Sequence, residues 1–247
     1  MLALLGALRE EIIDLQKQLG LEETSVWQGY RIAQGKYENR DILLIQTGIG
    51  KEKAEGAAEL VLSYYPITAV LSVGFAGALT ERSKVGDVII CSTLHCADAL
   101  QTGPERDLAS DTNLVSVASE CGAATTQLRF GSCVTSPQLA LKPEEKMELG
   151  RAFNADIVDM ESYWVAKAAA ERRVSFIGIR AVSDEVHESL PPFDLLLTPD
   201  GKLRRGKTAI HFLAHPHQLV RLLAIYRNAR RARRSLTYCI RCFLTRL

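Results

Sequence analysis

Two acids stand where apolar runs end: Glu161 in the segment IVDMES (157–162) and Asp184 in IRAVSD (179–184). The runs that precede them, Asp156 to Met160 and Val174 to Val182, have the length and composition of short buried strands. Glu161 to Arg172 between them reads as a helix, which predicts one βαβ-like unit. In an open α/β sheet ligands bind beyond the carboxyl ends of the strands, so both carboxyls are expected in one crevice. Two carboxyls in one cleft suit acid/base chemistry, although spacing alone is equally compatible with a structural pair. A third acid, Glu11, follows the apolar strand Leu2 to Gly6. In isolation it reads as a solvated residue of an acidic first helical turn; its place after a strand puts it beside Asp184 in the same cleft.

Other motifs lose on count. From Gly48 and Gly50 a dinucleotide fingerprint needs glycine at 53, where Lys53 stands. A phosphate loop ending at Gly50-Lys51 needs glycine at 45 and Ser or Thr at 52, which are Ile45 and Glu52. The glycines of Thr47-Gly48-Ile49-Gly50 and Gly74-Phe75-Ala76-Gly77 still read either as tight turns or as places where backbone N–H groups approach an anion or a sugar. His211, His215 and His217 lack an HExxH pattern, and Pro216 breaks their helical register. Cys239 and Cys242 form a CxxC without a second pair at zinc-ribbon spacing. No metal and no cofactor is expected. Trp27, Trp164 and the tyrosines read as packing residues, and nucleic acid is an unlikely partner.

The elements that must position these residues alternate along the chain. Strands are predicted at 2–6, 30–37, 41–46, 69–73, 85–92 and 127–135, with helices at 9–19, 51–65, 112–121, 143–153 and 216–234 and a loop over 94–111. At 247 residues, 47% hydrophobic, the chain is long enough for one large α/β domain. No apolar run approaches the roughly 20 residues of a membrane span, and Arg9 interrupts the opening run too early for a signal-peptide core, so a cytoplasmic protein is expected. The six scattered cysteines suit reduced thiols. Residues 1–200 carry 18 Lys and Arg against 29 Asp and Glu, whereas 201–247 carry 12 basic residues and no acid. That basic, partly amphipathic terminus reads as a solvated or packed face, a membrane-surface helix or, less favoured, a nucleic-acid contact.

The turns occur in a telling order: GALREE (6–11), TGIG (47–50), SVGFAGAL (72–79), KVGDVII (84–90), VDMES (158–162) and RAVSD (180–184). Together they resemble the nucleoside phosphorylase/nucleosidase superfamily, and most of all its methylthioadenosine/S-adenosylhomocysteine nucleosidase branch, over about residues 1–190. The resemblance implies a three-layer α/β/α sandwich around a mixed, mostly parallel sheet. It implies a hydrolase or glycosyltransferase that cleaves the N-glycosidic bond of a purine nucleoside without a metal, using water or phosphate. By position, Asp184 becomes the acid that protonates the departing base and Ser183 orients it. Glu161, assisted by Met160, holds the ribose hydroxyls. Glu11 activates water with Arg180 nearby, while Gly74, Phe75 and Ala76 line the sugar pocket. For that acid role Asp184 must hold a proton near neutral pH, which calls for a dry pocket.

Three positions differ from that branch. Phe75 replaces a small hydroxyl residue near the water, Leu139 stands near the position where the family has an aromatic that stacks on adenine, and Pro137-Gln138 interrupts the base-recognition segment. The stretch 183–201 and the Arg-rich tail resemble the hopanoid-associated phosphorylases, which implies adenosylhopane, a lipid-linked nucleoside, as substrate and a site peripheral to the inner face of the membrane. The expectation is therefore a catalytic domain at 1–200 with a basic helical extension of the same domain at 201–247, acting on an adenine-type nucleoside as a homo-oligomer. Alternatives are an ordinary methylthioadenosine/S-adenosylhomocysteine nucleosidase, a purine nucleoside phosphorylase, or a non-catalytic nucleoside-binding or membrane-associated protein.

Overall fold

A computed structural model describes residues 1–98, 107–121, 128–191 and 218–247. Its strands are β1 (Leu2–Gly6), β2 (Glu22–Trp27), β3 (Tyr30–Tyr37), β4 (Arg40–Gln46), β5 (Ala69–Ala78), β6 (Val88–Cys96), β7 (Leu108–Ala109), β8 (Leu128–Thr135), β9 (Ile157–Asp159) and β10 (Ser175–Asp184). The helices are α1 (Arg9–Gln18), α2 (Lys51–Tyr64), α3 (Thr112–Ser119), α4 (Pro143–Phe153), α5 (Ser162–Glu171) and α6 (Gln218–Arg246).

The period-2 alternation of the strands creates three layers. Leu2, Leu4, Ile42, Leu44, Leu71, Val73, Ile177 and Ile179 face one side of the sheet, where Ile12 and Leu15 of α1, Leu114 of α3, and Leu236, Ile240 and Phe243 of α6 cover them. Ala3, Leu5, Leu43, Ile45 and Val70 face the other side, against Ala54, Ala57 and Val61 of α2 and Trp164, Val165 and Ala169 of α5. A sheet with both faces covered reads as near-continuous apolar runs, as β1, β4 and β5 do.

The sheet is mixed. β1 pairs in parallel with β4 and β5, and β5 in parallel with β10. Beyond that point it closes on itself: β10 pairs antiparallel with β6, β6 and β9 both pair in parallel with β8, and β9 returns antiparallel to β5. The β3–β4 hairpin turns at Glu38 and Asn39, both at positive φ.

Two expectations change here. β9 and β10 do not form a parallel βαβ unit: they flank β5 and run in opposite directions, because β9 is antiparallel and β10 parallel to it. Gly74-Phe75-Ala76-Gly77 is the second half of β5, not a turn after it. The glycines there make room for side chains that press on the strand instead of breaking it. Two smaller shifts accompany these. β6 runs on to Cys96 and pairs with β7 inside the segment expected to be a loop, and α6 extends to Arg246. Its register follows Ala232, Leu236, Ile240 and Leu244, a buried stripe at four-residue spacing. The three histidines at 211, 215 and 217 lie outside the described residues. Among those described, all six cysteines are free thiols.

Candidate active site

The C-terminal half of β5 carries the site, and a buried guanidinium organises it. Arg180, in the middle of β10, is 1% exposed. Its Nε donates to Ser162 Oγ at 2.9 Å and its Nη2 to Ser72 Oγ at 2.9 Å. The same Nη2 lies 2.8 Å from Asp159 Oδ2 at the end of β9. Nη1 is buried and has no hydrogen-bond partner among the described residues. It points at the space that a Cβ on Gly74 would fill, and Glu11 Oε1 lies 2.7 Å from that same point. Only glycine permits so close an approach of two polar groups to the strand.

Glu11 is buried, in contrast to its solvated reading. α1 begins two residues before it, and the carboxylate bends back so that Oε2 accepts from the Leu8 N–H and Oε1 from the Phe75 N–H, both at 2.8 Å. Burial pushes its pKa up, opposed by the Arg180 charge and by these N–H groups. Glu161 is held from the opposite side, its Oε1 accepting from Gly50 N–H at 2.9 Å. Gly50 has φ near 90°, a left-handed conformation that suits glycine and turns its N–H toward the carboxylate. Burial first, then the negative charges of Asp159 and Glu11, lift Glu161 to about 8 despite Arg180. Burial works against the charge on Arg180, yet Asp159, Glu161 and Glu11 outweigh it and push its pKa up.

Asp159 also builds the start of α5. Its Oδ2 accepts from Ser162 N–H at 3.0 Å and its Oδ1 from Thr135 Oγ1 at 2.6 Å, while Thr135 Oγ1 accepts from Tyr163 N–H. These acceptors satisfy the first free N–H groups of the helix and fix Glu161, the residue just before it.

Asp184, at the end of β10, lies beside Gly77, where a Cβ would stand 3.0 Å from its Oδ2. Ser183 Oγ donates to Asp184 Oδ1 at 2.7 Å, and the Ala76 carbonyl oxygen lies 3.4 Å from the same hydroxyl. The expected dry surroundings are present, since Asp184 is 5% exposed. They also hold a cation: Lys146 of α4 places its Nζ 2.5 Å from Asp184 Oδ2.

The other expected residues divide. Met160 sits half-buried between Asp159 and Glu161. Phe75 gives the site its N–H, while its half-buried ring packs toward the core cluster shared by α1, α3 and α6. Leu139 is 40% exposed on the loop after β8, outside the carboxylate cluster. Sequence reasoning passed over Asp159, Lys146, Ser72 and Ser162. Lys146 had left a signal, because it lies at i, i+3 and i+7 with Leu149 and Phe153 on the inner face of α4. Among the described residues no group of three or more His, Cys, Asp or Glu could hold a metal ion.

This arrangement gathers carboxyl groups and a guanidinium nitrogen without a partner among the described residues beside one strand, with a separate carboxyl–ammonium pair at the strand's end. It is suited to charge development on a neutral, polyhydroxylated ligand. Comparison with known proteins agrees. The profile of the phosphorylase superfamily matches residues 2–197. The chain belongs to this superfamily and is an enzyme. It is 28% identical over 196 residues to the 5'-methylthioadenosine/S-adenosylhomocysteine nucleosidase of Tolumonas auensis, covering 74% of this chain and 85% of that one. With the Bacillus subtilis protein of the same name it shares 29% over 210 residues, covering 78% and 90%. Two solved structures share its fold. One is the Neisseria meningitidis 5'-methylthioadenosine/S-adenosylhomocysteine nucleosidase in complex with methylthio-immucillin-A, with TM-score 0.80, 20% identity, and 100% and 99% coverage. The other is Helicobacter pylori futalosine hydrolase, with TM-score 0.80, 20% identity, and 100% and 97% coverage.

Proposed function

We propose that the protein cleaves the N-glycosidic bond of an adenine-type nucleoside, with water as the favoured nucleophile. The observation that carries this reading is the junction at Gly74 of Glu11 and Arg180 Nη1, which has no hydrogen-bond partner among the described residues. Departure of the base builds positive charge on the ribose, and carboxylates beside the sugar stabilise it. In this reading Glu161 receives the ribose hydroxyls, Arg180 Nη1 orients the attacking oxygen, and Glu11 takes its proton. A carboxylate whose proton affinity is raised by burial is the better base near neutral pH. Asp184 protonates the purine ring as it leaves. Glu11 stands where a carboxyl group can take a proton from water, which is why hydrolysis is preferred. The relatives named for methylthioadenosine/S-adenosylhomocysteine nucleosidase activity support this reaction class.

The test is release of adenine from adenosine, methylthioadenosine and a lipid-linked adenosine, each with and without phosphate. Phosphate-independent release supports hydrolysis; release that requires phosphate reverses the choice of nucleophile. No release under any condition turns the reading toward a nucleoside-binding protein.

For the substrate we favour adenosylhopane or a similar lipid-linked nucleoside, met at the inner membrane surface. α6 supports it. Arg227, Arg230 and Arg234 are exposed on its outer side together with Leu223, Tyr226 and Tyr238, a basic stripe with apolar members that suits an anionic bilayer. None of the described helices is long and apolar enough to cross a membrane. Because α6 also fills the core, deleting it would unfold the domain, so flotation with anionic liposomes is compared between wild type and an Arg227→Gln/Arg230→Gln/Arg234→Gln variant. Equal flotation would sink the membrane reading. A cytoplasmic enzyme with peripheral membrane contact, a homo-oligomeric state and the division at residue 200 into catalytic domain and basic extension complete the proposal.

A further inference from the structure

Lys146 is wholly buried, and all three of its ammonium protons have acceptors. Nζ donates to Asp184 Oδ2 at 2.5 Å, to the Glu185 carbonyl at 2.8 Å and to the Glu188 carbonyl at 2.9 Å. A buried ammonium is costly unless paired and fully hydrogen-bonded, and here both conditions are met by the segment that follows β10. Lys146 is fully shielded at 0% exposed, and Asp184, at 5%, keeps only a narrow edge open. Asp184 thus has the Ser183 hydroxyl on one oxygen and Lys146 on the other, and of these two donors only the ammonium carries a charge and a proton it can give up without leaving an anion behind.

We propose that Lys146 is a positioning residue that acts through Asp184, holding Oδ2 in place and supplying the proton that Asp184 passes to the departing base. The proposal rests on the nucleosidase reading above. The proton balance is simple. An N–H bond of Lys146 breaks as an O–H bond forms on Asp184. That O–H breaks as a purine nitrogen gains the proton, and the electron pair of the glycosidic bond leaves with the base. The proton of the attacking water goes to Glu11, and exchange with solvent after product release restores the ammonium. Lys146 also ties α4 to the end of β10, so the carboxyl keeps its orientation without touching substrate.

The test uses Lys146→Met and Lys146→Arg in the full chain with two substrates: adenosine, whose base must be protonated to leave, and p-nitrophenyl β-D-ribofuranoside, whose leaving group departs as an anion. Lys146→Met is expected to lower kcat for adenosine by about 10²-fold with little change in KM, to alter the pH profile of kcat/KM, and to leave the aryl riboside within about threefold of wild type. Lys146→Arg is expected to recover part of the loss. Equal slowing of both substrates, or an unchanged pH profile, overturns the proposal. If Lys146→Met does not fold, the Nζ resonance of ¹⁵N-lysine protein, assigned by its absence from Lys146→Arg, decides. It must shift in Asp184→Asn, and an unmoved resonance also overturns the pairing. Wild type that releases base from no nucleoside overturns both the nucleosidase reading and the proton-supply role, while the resonance still judges the contact.

Discussion

Arg180 and Asp159 form an ion pair of 2.8 Å in which each side chain is 1% exposed, so β10 and β9 are joined by charges that water does not reach. Removing one partner of such a pair leaves the other without compensation, which typically costs about 3 to 5 kcal/mol. Asp159→Asn keeps a weaker acceptor for Ser162 N–H but loses the charge. It is expected to destabilise the fold by about 3 kcal/mol, read as a lowered urea midpoint at unchanged m-value. A loss below about 1 kcal/mol would show that Glu11 and Glu161 already balance the guanidinium.

Gly74→Ala tests the close approach on which the proposed chemistry depends. The new methyl would meet Arg180 Nη1 and stand 2.7 Å from Glu11 Oε1. Those atoms are side-chain ends, but buried hydrogen bonds tie them down and neither can swing aside cheaply. Displacing reacting groups by about 1 Å costs on the order of 10² in rate. Adenine release is expected to fall by that factor while circular dichroism stays as in wild type.

Strand order and chemistry were unequally legible. The apolar runs announced β1, β4 and β5, and the Glu38-Asn39 turn announced the β3–β4 hairpin, because those signals are local. The direction of β9 was not legible: a three-residue strand carries no periodicity, and only its pairing with Gly77 and Ala78 fixes it. Glu161 and Asp184 therefore lie along one strand for a different reason from the one their spacing suggested. They approach β5 from opposite sides, instead of ending two parallel neighbours. Glu11, Glu161, Arg180 and Asp184 stood in recognisable motifs. Asp159 read as an acid inside a strand and Lys146 as one residue of a predicted helix, and the ion pairs they form, with Arg180 and Asp184, join residues more than 20 positions apart.

Asp184→Asn separates the acid from the remainder of the site. Asparagine keeps one oxygen to accept from Lys146 and turns its NH2 toward Ser183 Oγ, but it cannot hand a proton to the base. General-acid catalysis contributes about 10²- to 10⁴-fold, so kcat for adenosine is expected to fall within that range, while binding of a ribose-containing competitor measured by calorimetry changes little. Unchanged turnover would remove Asp184 from the acid role.

Glu161 makes the stability of the unliganded protein depend on pH in a direction opposite to the usual carboxylate. Its folded pKa, about 8, lies above the ordinary glutamate value, so between those pH values the folded state binds more protons than the unfolded one. The stabilisation that follows is complete below about pH 4.5 and is lost as pH rises through about 8. Glu11, also raised, adds to the same trend. Glu161→Gln keeps an oxygen for Gly50 N–H and removes the charge, so it should raise Tm above pH 8, by about 2 °C if 1 kcal/mol is recovered. The gain should shrink toward pH 5, where the wild-type side chain is already neutral. Thermal melts of both proteins from pH 5 to 9 without ligand measure it, and a difference in Tm that is constant across that range would rule out ionisation of Glu161 as its source.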